Sequence, residues 1–315
     1  MPSIGLVPEP TPPTLPLSGV LVVDKPSGVT SHDVVAVARR ALGERGIGHT
    51  GTLDPLATGV LPLAIGKATR LVRFLTASDK DYDAVIRFGR ATDTYDATGT
   101  TTAESPQRPT RTALEIGLLA LTGAYNQMPP PYSAKKVGGR RAYAMARRDE
   151  PVELKPAPVT VTRAVLTEVD DDTASVSITC SSGFYVRSFA HELGRRLGCG
   201  ACLEALRRTR SGEFGLSRAV TMDELAAPRA SDVLASRVIE CSDLLADYPA
   251  VRLTDQGLAY VSNGRDLGPA QMSGRPAVTT AATWVRLLDP SGALVALATP
   301  DATSGALHPA IVLLS

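Results

Sequence analysis

The sequence predicts an α+β protein with a small β-rich region at its C-terminal end. Three observations carry that prediction. Tyr82, Ala84, Ile86 and Phe88 alternate with more polar residues, as do Ala174, Val176, Ile178 and Cys180, which is the period-2 pattern of half-buried strands. Val34, Val35, Ala38, Ala41 and Leu42 recur at helical spacing, and so do Val186, Phe189, Ala190, Leu193 and Leu197. Trp284 to Leu288 and Ala293 to Leu297 flank Asp289-Pro290-Ser291-Gly292, a hairpin signal.

In chain order, residues 1–17 hold six prolines and one charge, Glu9, and read as an extended or disordered leader. Order begins at Val20-Leu21-Val22-Val23, a short strand ended by the turn signal Asp24-Lys25-Pro26-Ser27-Gly28. Thr30 or Ser31 caps the helix that follows, which runs to about Leu42 and stops at Gly43. After the Tyr82 strand comes Met128-Pro129-Pro130-Pro131-Tyr132, which reads as the start of a long exposed insertion rather than a core element. The strand over 174–180 precedes the helix from Val186, which Gly198 stops. From about residue 246 the composition shifts: four arginines and five aspartates, with no lysine or glutamate.

The chain has 315 residues, 43% hydrophobic and 21% charged, an ordinary globular composition. No run approaches the ~18 apolar residues of a membrane-spanning helix, and the N-terminus lacks a secretory pattern. Four cysteines, Cys180, Cys199, Cys202 and Cys241, are too few for a disulfide scaffold. A cytoplasmic protein with reduced thiols is expected. The net charge of +1 hides two basic segments, 135–155 and 187–210, each netting +4 and leaving −7 for the rest. Together they could present one positive face to a polyanion; separately, each could be a solvated helix face.

Several motifs fail on context. Gly46-Ile47-Gly48-His49-Thr50-Gly51 has the dinucleotide spacing but follows a helix and precedes Thr52-Leu53-Asp54-Pro55, not a helix. Ser31-His32-Asp33 are adjacent at a helix start and cannot point at one another as a triad. Cys199-Gly200-Ala201-Cys202 is a lone pair without the ligands that zinc needs, so buried thiols are expected and no metal. Asp79, Asp81 and Asp83 begin like a calcium loop, but Ala84 and Arg90 stand where Gly and Glu are required.

The informative segment is Gly48 to Pro62, with three glycines and two prolines in fifteen residues. That composition makes a tight, fixed loop. Asp54 precedes Pro55 and is held extended. Leu53, Leu56 and Val60 pack the loop on the core, so a desolvated Asp54 that needs a cationic or hydrogen-bonding partner is expected. The loop by itself allows either a structural, loop-capping aspartate or a catalytic carboxylate.

Gly48 to Gly59 resembles the signature loop of the bacterial tRNA pseudouridine-55 synthase family. Further motifs appear in family order over residues 18–245. Gly19 to Gly28 resembles the family's Lys-Pro motif, and Ser78-Asp79-Lys80-Asp81-Tyr82 its Tyr motif. Pro130 to Lys136 is similar to its insertion loop. Ser182 to Ser188 is similar to its Arg motif, and Gly200 to Arg208 to its Leu-Arg-Arg segment.

The resemblance implies a mixed, mainly antiparallel sheet with flanking helices, a catalytic domain over 18–245, and a PUA-like β-barrel over 246–315. It implies Asp54 as nucleophile, at C1′ or on the ring, Tyr82 stacked on the target base, and Arg187 paired with Asp54. Tyr185 and Leu206 would line the uracil pocket, and His49 would fill the space left by the flipped nucleotide. Lys25 matches a motif lysine whose family role is mainly structural; it is placed with the substrate-binding residues. Taken singly, each of these residues has a plain structural reading. Lys135, Lys136, Arg140, Arg141, Arg147, Arg148, Arg207 and Arg208 are the candidates for RNA-backbone contacts. The expected partner is the T stem-loop of tRNA, met by a monomer without cofactor or protein partner. Two other readings share these features: an RNA-binding protein or tRNA folding chaperone acting without catalysis, and a guide-dependent pseudouridine synthase. Activity on bare tRNA separates them.

Overall fold

The first strand is apolar at every position from Val20 to Val23 because both of its faces are covered. A computed structural model describes residues 17–133, 136–137, 140–141, 154–227, 233–273, 283–301 and 303–314. The chain begins with β1 (Gly19–Lys25), α1 (Ser31–Leu42), β2 (Ile47–His49), β3 (Thr58–Ile65), α2 (Val72–Ala77) and β4 (Lys80–Phe88). It continues through β5 (Arg90–Thr92), β6 (Thr101–Glu104), α3 (Arg111–Leu119), β7 (Gly123–Gln127), β8 (Lys136–Val137) and β9 (Arg140–Arg141). Then come β10 (Ala157–Val169), β11 (Thr173–Cys180), α4 (Val186–Arg196), β12 (Ala201–Ser211), β13 (Phe214–Gly215), β14 (Val220–Thr221), α5 (Met222–Ala226) and β15 (Ile239–Glu240). The last elements are β16 (Ala250–Leu253), α6 (Asp255–Ser262), β17 (Met272–Ser273), β18 (Val285–Leu288), β19 (Leu294–Pro300) and β20 (Leu307–Val312).

The main sheet has the order β14-β1-β3-β12-β4-β11-β10-β7. Only the β1–β14 and β12–β3 pairs along it are parallel. The expected mixed, mainly antiparallel sheet with flanking helices is what forms. In β1 and β3 the side chains alternate between two cores. Leu21, Val23, Leu61 and Leu63 face the helices, whereas Val20, Val22, Val60 and Ala64 face a second cluster with Leu294, Leu297 and Leu313. Thr30 is the N-cap of α1, in a capping box with Asp33, and Gly43 ends that helix in the left-handed conformation.

The C-terminal strands form a second sheet, β17-β16-β18-β19-β20, with β16 and β18 parallel. Its order is open, and among the described residues no pairing closes it into the expected barrel. The expected exposed insertion also begins differently: Pro129, Pro130 and Ser133 are buried. Proline rings carry no N–H to satisfy, so a Pro-rich stretch can be packed under apolar surface without forming a regular element. Lys135, Arg147 and Arg148 lie outside the described residues, and of Lys136, Arg140 and Arg141 only the β8–β9 backbone pairing is described. No helix among the described residues is long and apolar enough to cross a membrane.

Gly59 opens β3 with φ +98°, and a Cβ there would lie 2.2 Å from the backbone oxygen of Arg208. Both obstacles are backbone and cannot rotate away. Gly59→Ala is expected to destabilise the fold by about 2 kcal/mol or more. Urea denaturation, read as a lowered midpoint, checks this.

Candidate active site

Asp54 lies in the loop between β2 and β3, and buried groups hold that loop from below. The Ser31 hydroxyl donates to the Leu53 carbonyl at 3.0 Å and accepts from the Leu53 amide at 2.9 Å. The Lys25 ammonium donates to the carbonyls of Pro26, Val29 and Pro55. Arg208 donates from Nε to the Val60 carbonyl at 2.7 Å and from Nη2 to that of Gly51 at 3.1 Å. A loop fixed by this many bonds fixes the direction of its aspartate. Ser31, read from the sequence as a possible helix cap, is therefore a clamp on the catalytic loop, and Thr30 does the capping.

Arg187, in the first turn of α4, pairs with Asp54. Its Nε donates to Asp54 Oδ2 at 2.8 Å, its Nη1 to the Thr94 carbonyl at 2.9 Å, and its Nη2 to the Tyr132 carbonyl at 2.9 Å. Asp96, also buried, has its Oδ2 3.7 Å from the same Nε, while its Oδ1 accepts from the Thr94 and Thr98 hydroxyls and the Thr98 amide. The pair is asymmetric in burial: the Arg187 side chain is 6% exposed and that of Asp54 is 37%. The expectation of a desolvated Asp54 is thus corrected. The carboxylate lines the cavity while its arginine partner is buried.

That cavity, about 240 Å³, is lined by Asp54, Tyr82, Tyr185, Arg187, Leu206 and Arg208, with Thr76, Lys80 and Phe184 beside them. It is smaller than the pockets that hold drug-sized ligands and suits a group of nucleobase size. Tyr82 is buried, and its phenol is pushed up by desolvation, with Arg208 opposing. Burial raises Tyr185 as well. Both rings therefore stay neutral phenols at physiological pH. Gln127 grips the Tyr185 backbone from both sides, accepting from its amide at 2.8 Å and donating to its carbonyl at 3.0 Å. A larger surface depression, about 690 Å³, is lined by Arg87 and Arg108 away from these residues.

The other residues singled out in the sequence divide. Lys25 is fully buried beneath Pro55 and does not line the cavity, which makes it a support of the loop and not a substrate contact. Desolvation lowers its ammonium to about 8, with Asp54 opposing. His49 is half-buried at the end of β2, its ring edge-on to His32 at 5.4 Å, and does not line the cavity either. Arg208 is 1% exposed and cannot contact an RNA backbone. Arg207 directs its fork to Asp24, at 2.7 and 3.1 Å. Arg195 and Arg196 pair with Glu192, and Arg210 with Asp81. The arginines of the second basic segment are therefore paired or buried, with Arg195 and Arg196 sharing one carboxylate. Cys199 and Cys202 are buried free thiols. Asp96, Gln127 and Thr76 carry no signal in the sequence, and Lys80, quoted within the Tyr motif without a role, lies two residues before Tyr82 and hence on the same strand face.

Removing Arg187 would leave the buried Asp96 without its cation. Arg187→Ala is expected to destabilise the protein by roughly 3–5 kcal/mol, with Arg187→Lys recovering only part because three carbonyl and carboxylate partners need a planar fork. Denaturant titration of both variants checks the order.

The sequence matches the TruB family pseudouridylate synthase N-terminal domain over residues 39–186 and the tRNA pseudouridylate synthase B C-terminal domain over 187–241. It is 43% identical over 282 residues to tRNA pseudouridine synthase B of Solibacter usitatus (strain Ellin6076), covering 89% of this chain and 95% of that protein. The corresponding protein of Thermobifida fusca (strain YX) is 44% identical over 303 residues, covering 93% and 98%. Among solved structures, the fold matches a chain of an H/ACA RNP bound to a substrate RNA containing 2'-deoxyuridine, with a TM-score of 0.72 and 24% identity over 95% of this chain and 86% of that one. With the Asp54 loop, Tyr82 and Arg187 converging on one cavity, the chain belongs to the TruB family of pseudouridylate synthases.

Proposed function

We propose that this chain is an isomerase that converts uridine to pseudouridine in tRNA, at position 55 of the T loop. The observation that carries the reading is the Arg187–Asp54 pair opening into a nucleobase-sized cavity walled by Tyr82. The names of the curated relatives supply the tRNA; the resemblance of the Gly48 to Gly59 loop supplies the position. The target base leaves its stack at a cost of a few kcal/mol. Stacking on Tyr82 returns about 1–3 kcal/mol of that. Asp54, oriented and charge-balanced by Arg187, acts as nucleophile while the C1′–N1 bond breaks. The base then turns, C5 joins C1′ as the Asp54 carboxylate is released, and C5 loses a proton while N1 gains one. His49, beside the cavity, is suited to occupy the gap in the RNA stack.

Identity of 43–44% to relatives named tRNA pseudouridine synthase B favours action on bare tRNA over a guide-dependent role. The intact Asp54–Arg187 pair favours catalysis over a purely chaperone role. We place the protein in the cytoplasm, acting as a monomer, with residues 18–245 as its catalytic unit and 246–315 as an accessory one. The insertion is the proposed RNA-binding element, since the arginines of 187–210 are otherwise engaged.

Incubation of the pure protein with unmodified tRNA, followed by chemical mapping, is expected to give pseudouridine at position 55; no product at any uridine would overturn the reading. Asp54→Asn keeps the shape and removes the charge. It should abolish turnover while tRNA affinity, measured by filter binding, stays nearly intact. Neutralising Arg140, Arg141, Arg147 and Arg148 together should weaken tRNA binding and flatten its salt dependence, because fewer counterions are released. The single-turnover rate at saturating enzyme should change much less.

A further inference from the structure

Three cations are buried around the Asp54 cavity, and among the described residues none of them makes an ion pair. Lys25, Lys80 and Arg208 are 0%, 5% and 1% exposed. Their hydrogen bonds go to backbone carbonyls, and Arg208 also bonds the Tyr82 phenol. Lys25 stands behind the loop, but Lys80 and Arg208 line the cavity itself. A buried cation without a counter-charge is costly, and two in one cavity wall favour an anion inside. Building on the reading above, we propose that Lys80, backed by Arg208, is a catalytic residue that stabilises the negative charge on the uracil while it is detached from its ribose.

The chemistry requires such a group. When C1′–N1 breaks, both electrons stay on N1 and the base departs as an anion delocalised onto its carbonyl oxygens. After the base turns, C5 supplies the electron pair of the new bond to C1′ and loses its proton, N1 gains one, and the product is an isomer. Fixed donors facing that transient charge lower the barrier without reorganising. Lys80 is two residues before Tyr82 on β4, so the ammonium shares the strand face of the ring on which the base stacks.

A helix-capping role accounts for part of the Lys80 geometry. Its ammonium donates to the Thr76 carbonyl at 2.5 Å, at the end of α2, and to that of Ser78. An exposed lysine would cap that helix equally well; capping does not call for a place in the cavity wall. The groups facing Lys80 also leave it short of negative charge. Desolvation and Arg208 on β12 lower it to about 8, while Cys180 on β11 and Asp79 in the preceding turn act to raise it. Burial pushes the Cys180 thiol up to about 12, so that group is neutral. Asp79 is then the one anion among them.

The test compares Lys80→Met and the unaltered protein in single-turnover reactions on two tRNAs, one with uridine and one with 5-fluorouridine at the target. Fluorine acidifies the departing base, which then needs less stabilisation. Lys80→Met is expected to slow cleavage of the uridine glycosidic bond by about 10²–10³-fold, with unchanged tRNA affinity and a clearly smaller defect on 5-fluorouridine. Equal defects on both substrates would mean a structural role and overturn the proposal. Should Lys80→Met fail to fold, Lys80→Arg decides. The unaltered enzyme should lose rate above about pH 8 as Lys80 deprotonates, and the permanently charged arginine should keep its rate there. A decline that persists in Lys80→Arg would equally overturn it. Conversion of uridine by the unaltered protein tests the isomerase reading separately, so the two failures are distinguishable.

Discussion

One guanidinium bonds three stretches of chain that lie far apart in the sequence. Each nitrogen of Arg187 is committed to a different one: the loop before β3, the turn after β5, and the stretch that follows β7. The side chain is buried, so all its partners must be present together; a missing one would leave an N–H without water or acceptor. That condition fixes where α4 begins. The Gln127 clamp on Tyr185, one turn-residue earlier, enforces the same start from the other side. The site is thus specified by hydrogen-bond accounting as much as by apolar packing.

Electrostatics around the cavity are lopsided in a way that the overall charge of +1 conceals. Most exposed arginines of 187–210 find an acid across a strand or one helical turn away. Arg208 and Lys80, by contrast, form no ion pair among the described residues, and they donate to backbone carbonyls. Surface charge is largely paired while two interior cations lack an ion-pair partner, the reverse of what burial alone would select. An interior of that kind is organised for a species that is present only during turnover.

Elements whose signal is local were legible in the sequence. The period-2 runs became β4 and β11, the period-3.6 runs α1 and α4, and the glycines at 43 and 198 closed those helices or the turn beyond. Asp54 was legible because proline constrains its neighbour whatever the fold. What stayed hidden depends on partners distant in sequence. Arg207 and Arg210 look like free charges until the sheet sets Asp24 and Asp81 opposite them. Ser31 looks like a cap until Leu53 is folded against it. Asp96 sits in an unremarkable Thr-rich turn, and only the arrival of α4 gives it meaning. Pro129 and Pro130 look like exposed linker because composition cannot say which side of a loop faces the core.

The second apolar cluster has an evolutionary corollary. Val20, Val22 and Val60 of the catalytic sheet and Phe74 of α2 share one core with Trp284, Leu294, Leu297 and Leu313. The C-terminal sheet is therefore a structural wall of the enzyme as well as an appendage to it. Exchanging it for an unrelated module would strip the back of β1 and β3 and expose a hydrophobic patch of the kind that drives aggregation. Any lineage that replaced this region would have had to redesign the rear face of the catalytic sheet at the same time, so the two halves are constrained to change together.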